Sequence, residues 1–479
     1  MKIFSTYFFI FILCLCAQAD DYAHLNRPVM EGVNDLGTYD AIPDKGKGSI
    51  DYGQIMESLK IKIFPHTDDR APHRKDTVLF YVKLKSASVM SLVHQNVILC
   101  RSKIIQFNEV DQMNNQIRCV DENKTIPLIA LNNPIDFDYT ISTQSLSPIQ
   151  VIRAKHNNNY FYWGSLLIKK ETDRLILVNN VNMENYILGV IPGEIYVSWP
   201  AETVSTQAVA ARSYALYHLA GLSNTFRLFH FDDTTSYQVY IGDILQYKKY
   251  QLANGENLTG EDRIKIMEMI DQLPAFFAAI ERTKGEIMVL SNYQVFQAYF
   301  HASSGGYTAN ASDLEFGGCI PCQEVLDYCN DDIWNDEFAT ANLAPLDFWK
   351  VTRSKAEIEA RLKKSKLIGA NHRFDALLLP EDGFNGPPYR TVGGHYSQVP
   401  MNISKALQAS AGYPFKSAMG LLNIRYEIFK KDDVYTFEGR GYGHSIGMSQ
   451  WGAYFQGKKM IPYQDILKHY YKDIQIKRF

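Results

Sequence analysis

Hydrophobic positions in this chain change period part-way along. From residue 59 to about 145 they alternate. Leu59, Ile61 and Ile63 are separated by Lys60 and Lys62, and Val78, Phe80, Val82 and Leu84 repeat the two-residue spacing of a half-buried strand. Val97-Ile98-Leu99 and Ile104-Ile105 extend this stretch, so a small β-rich module is expected over 56–145. Short strands follow around Val151, Leu166 and Leu175–Val178. Then the period lengthens. Pro200 suits the first turn of a helix, where its missing N–H costs nothing, and Val204, Ala208, Ala211, Ala215 and Leu219 form one apolar stripe. Gln207, Arg212 and Tyr214 lie off that stripe. A second helical stretch is expected over 259–283, capped by Thr259, with Ile264, Met267 and Ile270 on its apolar face and Pro274 opening a second piece. Glu286–Leu290 and Val295–Phe300 form an expected hairpin.

The first residues change the picture of where the chain works. Met1-Lys2, an apolar run from Ile3 to Cys16, and Ala17-Gln18-Ala19 before Asp20 have the form of an export signal cleaved after residue 19. The run is too short to span a bilayer, and Leu15 is too bulky for a lipobox at Cys16. The mature chain is therefore expected to carry no transmembrane segment and to lie in the periplasm or on the cell-wall side of the membrane. Residues 20–55 have the composition of an extended arm or linker. A net charge of −3 argues against a nucleic-acid partner, which needs a basic surface. Export also makes the cysteines candidates for disulfides: Cys100 with Cys119, and two of Cys319, Cys322 and Cys329. A metal knuckle from those last three is the rival, and it lacks a fourth ligand. The 30 Tyr and 26 Phe are an unusually heavy aromatic load, most of it expected in the core.

Chemistry concentrates in three segments. One is Gly189–Leu216, with Gly193-Glu194 ahead of Ala208-Val209-Ala210-Ala211-Arg212-Ser213-Tyr214-Ala215-Leu216. Another is His301-Ala302-Ser303-Ser304-Gly305-Gly306-Tyr307-Thr308, at a strand end where sites are commonly built. The third, Gly439–Gly452, alternates glycines with Arg440, His444, Ser449 and Gln450, and no Gly-Lys-Ser/Thr closes it as a phosphate loop would require. In this order, together with Asp233-Thr234-Thr235, Gln238-Val239-Tyr240 and Tyr470-Tyr471, these segments resemble the stage II sporulation protein D (SpoIID/LytB) family, which includes amidase-enhancer relatives. The resemblance covers roughly 145–479.

It implies a mixed α+β catalytic domain over 146–479, with insertions near 243–283 and 315–349, preceded by the small β-rich module. It also implies a lytic transglycosylase acting on peptidoglycan glycan strands, with peptide-free strands as substrate. Glu194 takes the acid/base role. Gln207, Arg212, Tyr214, Asp233, Gln238, Tyr240, His301, Ser303, Ser304, Arg440, His444, Ser449 and Gln450 are the implied substrate-binding residues. The chemistry suits one carboxylate: an acid protonates the leaving oxygen of the β-1,4 bond, the muramic-acid 6-hydroxyl attacks, and a 1,6-anhydro end forms. Glu194 must hold its proton for this, and Ile191, Pro192, Ile195 and Trp199 are placed to desolvate it. Two departures from the family pattern stand out. His444-Ser445 replaces the usual His-Gly, adding a Cβ. Ser236 and Tyr237 stand where some members carry zinc-binding Cys and His, and His230 alone makes no site, so no metal and no cofactor are expected. The rival functions are a glycan-binding enhancer of a cell-wall amidase, an idle scaffold, a glycosidase using Asp232 or Asp233 as base, and a Ser/His hydrolase, which lacks a Gly-x-Ser-x-Gly elbow.

Overall fold

The computed structural model describes residues 59–62, 81–95, 97–109, 115–127, 139–143, 147–153, 156–171, 174–222, 229–234, 237–255, 258–314, 319, 321–327, 348–379 and 389–479. The export signal, the arm over 20–55, Ser236, Cys329 and most of the 315–349 insertion lie outside them. The protein is mixed α+β. Its chain forms two compact units: one from residues up to Trp199 with His218–Glu286 and Arg478–Phe479, the other from Pro200–Tyr217 and Ile287–Lys477.

The first unit is built on a sheet of eleven strands among the described residues. These are β1 (Leu59–Lys62), β2 (Tyr81–His94), β3 (Val97–Glu109), β4 (Asn115–Cys119), β5 (Lys124–Pro127), β6 (Tyr139–Thr143), β7 (Ile149–Arg153), β8 (His156–Tyr162), β9 (Ser165–Glu171), β10 (Arg174–Val181) and β11 (Phe231–Asp232). The order is β11-β1-β10-β9-β6-β2-β3-β4-β5, with β7 on β2 and β8 on β7. β2 pairs with β7 at Val82–Lys85 and with β6 at Met90–Val93. Its register against β3 shifts between those stretches, and such an irregularity lets one long strand serve two neighbours. The alternation read from Leu59 and Ile61 is a buried face, as both are fully enclosed. A disulfide between Cys100 and Cys119 joins β3 to β4.

Four helices begin in this part of the chain: α1 (Met183–Glu194), α2 (Ala201–Leu222), α3 (Ile244–Asn254) and α4 (Gly260–Glu281). Thr259 caps α4 in a reciprocal box with Asp262, as its sequence predicts. The apolar face differs from expectation. Ile264 is 57% exposed, whereas Ile266, Ile270, Leu273 and Phe276 are buried at helical spacing. Pro274 does not open a second piece either. The helix continues through it because Leu273 and Phe276, on either side, are both anchored in the interior.

α2 belongs to the second unit through Tyr217. Pro200 precedes it, its carbonyl accepting the Val204 N–H at 3.0 Å. The predicted stripe understates its burial: every residue from Thr203 to Leu216 is buried, including Gln207, Arg212 and Tyr214. Such a helix is enclosed rather than amphipathic. The second unit then contains β12 (Glu286–Val289, of which Ile287 onward belongs here), β13 (Phe300–His301), β14 (Trp349–Ser354), β15 (Phe374–Leu377), β16 (Gln398–Ile403), β17 (Ala406–Ala411), β18 (Tyr426–Lys431), β19 (Val434–Gly439) and β20 (Met448–Ser449). Its remaining helices are α5 (Lys355–Lys364), α6 (Gly412–Met419), α7 (Gln450–Lys458) and α8 (Tyr463–Tyr470). Sheets β14-β19-β18 and β15-β16-β17 enclose one core with α5 and α6, around Leu362, Phe415 and Phe437. A second core gathers Val209 and Ala210 of α2 with Met288, Ile446, Met448 and Tyr470. The expected 286–300 hairpin shrinks to a single Val289–Val295 bridge. Phe300 and His301 pair instead with Met448 and Ser449, in parallel, because the glycine-rich segment occupies that edge.

Candidate active site

Glu194 is the last residue of α1. One of its carboxylate oxygens accepts the Val239 N–H at 2.7 Å. Gly193 makes that bond possible, since a Cβ there would lie 2.6 Å from the Val239 carbonyl oxygen. Tyr240 anchors the same strip of chain: its hydroxyl donates to Asn179 Oδ1 (2.8 Å), and the Ile241 N–H reaches the Gly189 carbonyl (3.0 Å). Gln238 accepts from the Tyr186 hydroxyl at 3.1 Å. Gln238, Tyr240 and Asp233 are all buried. Burial, with Asp243 and Asp233 nearby, drives the Tyr240 phenol far above its ordinary range, so it remains a donor. The first unit thus assembles Gln238, Val239 and Tyr240 into a brace for one carboxylate. That carboxylate lies at the C-terminal end of α1 and accepts the Val239 N–H. Ile191, Pro192, Ile195 and Trp199 are buried around this turn. Asp232 accepts from both the backbone and the hydroxyl of Thr234 (2.9 and 2.5 Å), closing a local turn.

In the second unit, the segments around His301 and His444 interlock through their backbones. Ser303 and Tyr442 exchange N–H···O bonds of 3.0 and 2.8 Å, Trp451 donates to the Ala302 carbonyl (3.0 Å), and Ala309 donates to that of Ser445 (2.8 Å). Gly441 sits at φ 81°, and a Cβ on it would lie 2.6 Å from the Ser303 carbonyl oxygen. Asn423, fully buried, ties the two together: Nδ2 donates to the Ser303 carbonyl (3.3 Å), and Oδ1 accepts from the Ser445 hydroxyl (2.9 Å) and the Ile424 N–H (2.6 Å). Ser445, where glycine is usual, keeps the left-handed backbone at φ 65° and uses its hydroxyl to reach Asn423.

Ser304 donates to Asp327 at 2.5 Å and accepts the Gly306 N–H at 3.1 Å. Asp327 also accepts from the Tyr470 hydroxyl (2.6 Å), and its own N–H caps the Gly306 carbonyl (2.9 Å). His301 and His444 lie 5.3 Å apart, ring centre to ring centre. His444 is held neutral, at about 4, by burial and by the Lys416 ammonium; its Nδ1 accepts the Ile446 N–H at 3.0 Å. Burial and the His444 ring likewise push His301 well down. His301 Nδ1 lies 3.1 Å from the Ile446 carbonyl oxygen and so carries the proton. Its Nε2 is a buried acceptor with no hydrogen-bond partner among the described residues. Gln207 likewise has both amide atoms buried and unbonded. Ser449 caps α7, accepting the Gly452 N–H at 3.1 Å, and Gln450, the first residue of that helix, is buried. Tyr214 packs edge-on against Tyr299 and Phe300, Arg212 is wholly enclosed, and Arg440 is half-buried beside Gly305.

The family model for stage II sporulation protein matches residues 171–290. An uncharacterized protein of Brachyspira hyodysenteriae is 30% identical over 325 residues, covering 67% of this chain and 73% of that protein. Stage II sporulation protein D of Bacillus subtilis is 26% identical over 303 residues, 62% of this chain and 75% of its own length. The chain belongs to the stage II sporulation protein D family. The amidase enhancer of Bacillus subtilis is also similar, 25% identical over 314 residues, which span 59% of this chain and 39% of that protein.

The family match takes in Glu194, Gln207, Arg212, Tyr214, Asp233, Gln238 and Tyr240, whereas the His301 and His444 segments lie beyond it. The first unit brings Glu194 together with the Gln238–Tyr240 strip, and the second brings together the segments of His301, Ser303, Ser304, His444 and Ser449. Reasoning from sequence missed Asp327, Asn423 and Lys416. Asp327 lies inside an insertion with no readable pattern, and nothing in the sequence around Asn423 marks it. Among the described residues, no three His, Cys, Asp or Glu side chains are grouped to hold a metal ion. Cys319 and Cys322 are joined in a disulfide.

Proposed function

We propose that this protein is an exported lytic transglycosylase that cleaves peptidoglycan glycan strands and leaves 1,6-anhydro-muramic acid ends. The observation that carries the reading is Glu194 at the end of α1, oriented by the Val239 N–H at 2.7 Å. In this mechanism Glu194 delivers its proton to the glycosidic oxygen as the C1–O bond breaks. The resulting carboxylate removes the proton of the muramic-acid 6-hydroxyl as that oxygen bonds to C1, so the proton balance closes on one residue without a cofactor. His301, whose Nε2 is a buried acceptor, is assigned to a sugar hydroxyl, with Arg440 and Gln450 as further glycan contacts. The test is product analysis. The mature protein, incubated with peptide-free and peptide-bearing strands, should release anhydro-ended fragments by mass spectrometry, and Glu194→Gln should release none. Free reducing ends instead would indicate a glycosidase.

A second reading is supported by the similarity to a protein named amidase enhancer. It holds that the chain binds glycan for a wall amidase partner without cleaving it. Binding by both the unaltered chain and Glu194→Gln, with no product from either, would favour this reading.

A further inference from the structure

Lys416 lies in the last turn of α6, half-buried, with its ammonium 4.9 Å from the centre of the Tyr413 ring. Among the described residues it has no carboxylate partner and its Nζ makes no hydrogen bond. A cation drawn this far out of water without a counter-charge is costly unless an anion completes the site. The chain after α6 binds it to the glycine-rich segment: the Leu421 N–H reaches the Lys416 carbonyl (3.0 Å), and the Leu422 carbonyl takes the Gly443 N–H (2.9 Å). Asn423 follows, clasping Ser303 and Ser445. The ammonium is felt at His444, whose neutrality it helps enforce, and Lys416 itself is lowered only to about 8, so it remains largely charged near neutral pH.

The surrounding sequence supplies no acid. No aspartate or glutamate occurs from Ile287 to Ser312, from Gly383 to Tyr426, or from Gly439 to Gln464. These stretches carry Arg390, Lys405, Lys416, Arg425, Arg440, Lys458 and Lys459. Arg425 is committed to the carbonyls of Gly393 and Gly305. Asp327, the carboxylate bonded to the Ser304 turn, already takes the hydroxyls of Ser304 and Tyr470. Among the described residues, Lys416 is thus a part-buried ammonium with no carboxylate partner.

We propose that Lys416 binds the carboxylate of the lactyl group on N-acetylmuramic acid, and so selects glycan from which the stem peptides have been removed. The assignment rests on the glycan-strand reading above. In a peptide-bearing strand that carboxyl is an amide, with no charge for the ammonium to meet. In a peptide-free strand it is an anion on every second sugar.

The test uses the full mature chain carrying Glu194→Gln, so that ligands survive, and isothermal titration with two oligosaccharides. One is a peptide-free strand with free lactyl carboxylates; the other is the same strand with each carboxylate converted to its methylamide. Lys416 protein should bind the free carboxylate form about tenfold more tightly. Lys416→Met should bind both forms alike, and Lys416→Arg should restore the preference, showing that charge and not mere packing is read. Equal affinity of the two forms for Lys416 protein, or a preference that survives in Lys416→Met, overturns the assignment while leaving the glycan reading intact. Failure to bind either strand overturns both.

Discussion

Asp327 is the most consequential acidic residue in the second unit, and its removal gives a sharp test of how the Ser303–Gly306 turn is held. It is 1% exposed and accepts two hydroxyl protons, from Ser304 at 2.5 Å and Tyr470 at 2.6 Å. Asp327→Ala leaves both hydroxyls without their acceptor, and each stranded group costs about 1–3 kcal/mol, so about 2–6 kcal/mol is lost. Some of this is offset because a carboxylate no longer has to be buried. Ser304→Ala removes one charge-assisted bond, about 1.5–3 kcal/mol. The double variant should therefore fall short of the sum of the singles by about that one shared bond. Equilibrium urea unfolding of the four proteins with disulfides intact measures the cycle. A coupling energy under about 0.5 kcal/mol would mean that the carboxylate does not hold the serine, and the account of this turn would be wrong.

Three further outcomes follow from the same geometry. Gly193→Ala places a Cβ where the Val239 carbonyl now lies at 2.6 Å, so glycan cleavage should fall by about 10²-fold; a rate within twofold of the unaltered protein refutes the brace. At Ser445 the left-handed backbone costs about 1–2 kcal/mol and its buried hydrogen bond returns about 1 kcal/mol. Ser445→Ala should thus lose about 1 kcal/mol while Ser445→Gly stays near neutral, and the opposite order in thermal unfolding would contradict the assignment. His218, His230 and His444 are held neutral at about 4, chiefly by burial. The unfolded chain then binds more protons than the folded one between about 6.5 and 4, so stability is intact above that window and is lost as pH falls through it, by up to about 1.4 kcal/mol per pH unit for each histidine. His218→Phe, in the ring contacts with Phe231 and Tyr237, should make the decline in Tm shallower; a Tm flat from pH 7 to 4.5 in the unaltered protein would refute it.

Period-two alternation and helix caps were legible because they are local. Leu59 and Ile61 face inward, and Thr259 caps as its spacing with Asp262 demands. The site motifs were legible as segments but not as geometry. Gln238 and Tyr240 look like ligand-binding groups in sequence, yet their polar atoms are engaged by Tyr186 and Asn179, and what they deliver is the Val239 peptide. The all-round burial of α2 was hidden because threonine, serine, glutamine and arginine interrupt its apolar positions. Phe300 and His301 were assigned a neighbouring partner, when their partner is Met448–Ser449, far along the chain. Asn423 and Asp327 act through contacts more than a hundred residues away with Ser303 and Tyr470, and no local pattern encodes such pairings.

The division of the chain between its units has a consequence for the order in which the molecule can be made. Arg478 pairs with Glu286 across 192 positions, and the Phe479 N–H closes on the Gly285 carbonyl. Between those two points runs nearly the whole of the second unit. A chain emerging from its N-terminus therefore cannot complete the first unit when that unit's large sheet has appeared; it must wait until the second has been threaded out behind it. Contacts of such long sequence separation form late and slowly. Hydrogen exchange during refolding should show the amide of Phe479 protected last, and a tag fused directly to Phe479 should burden this closure before it disturbs any residue assigned to glycan.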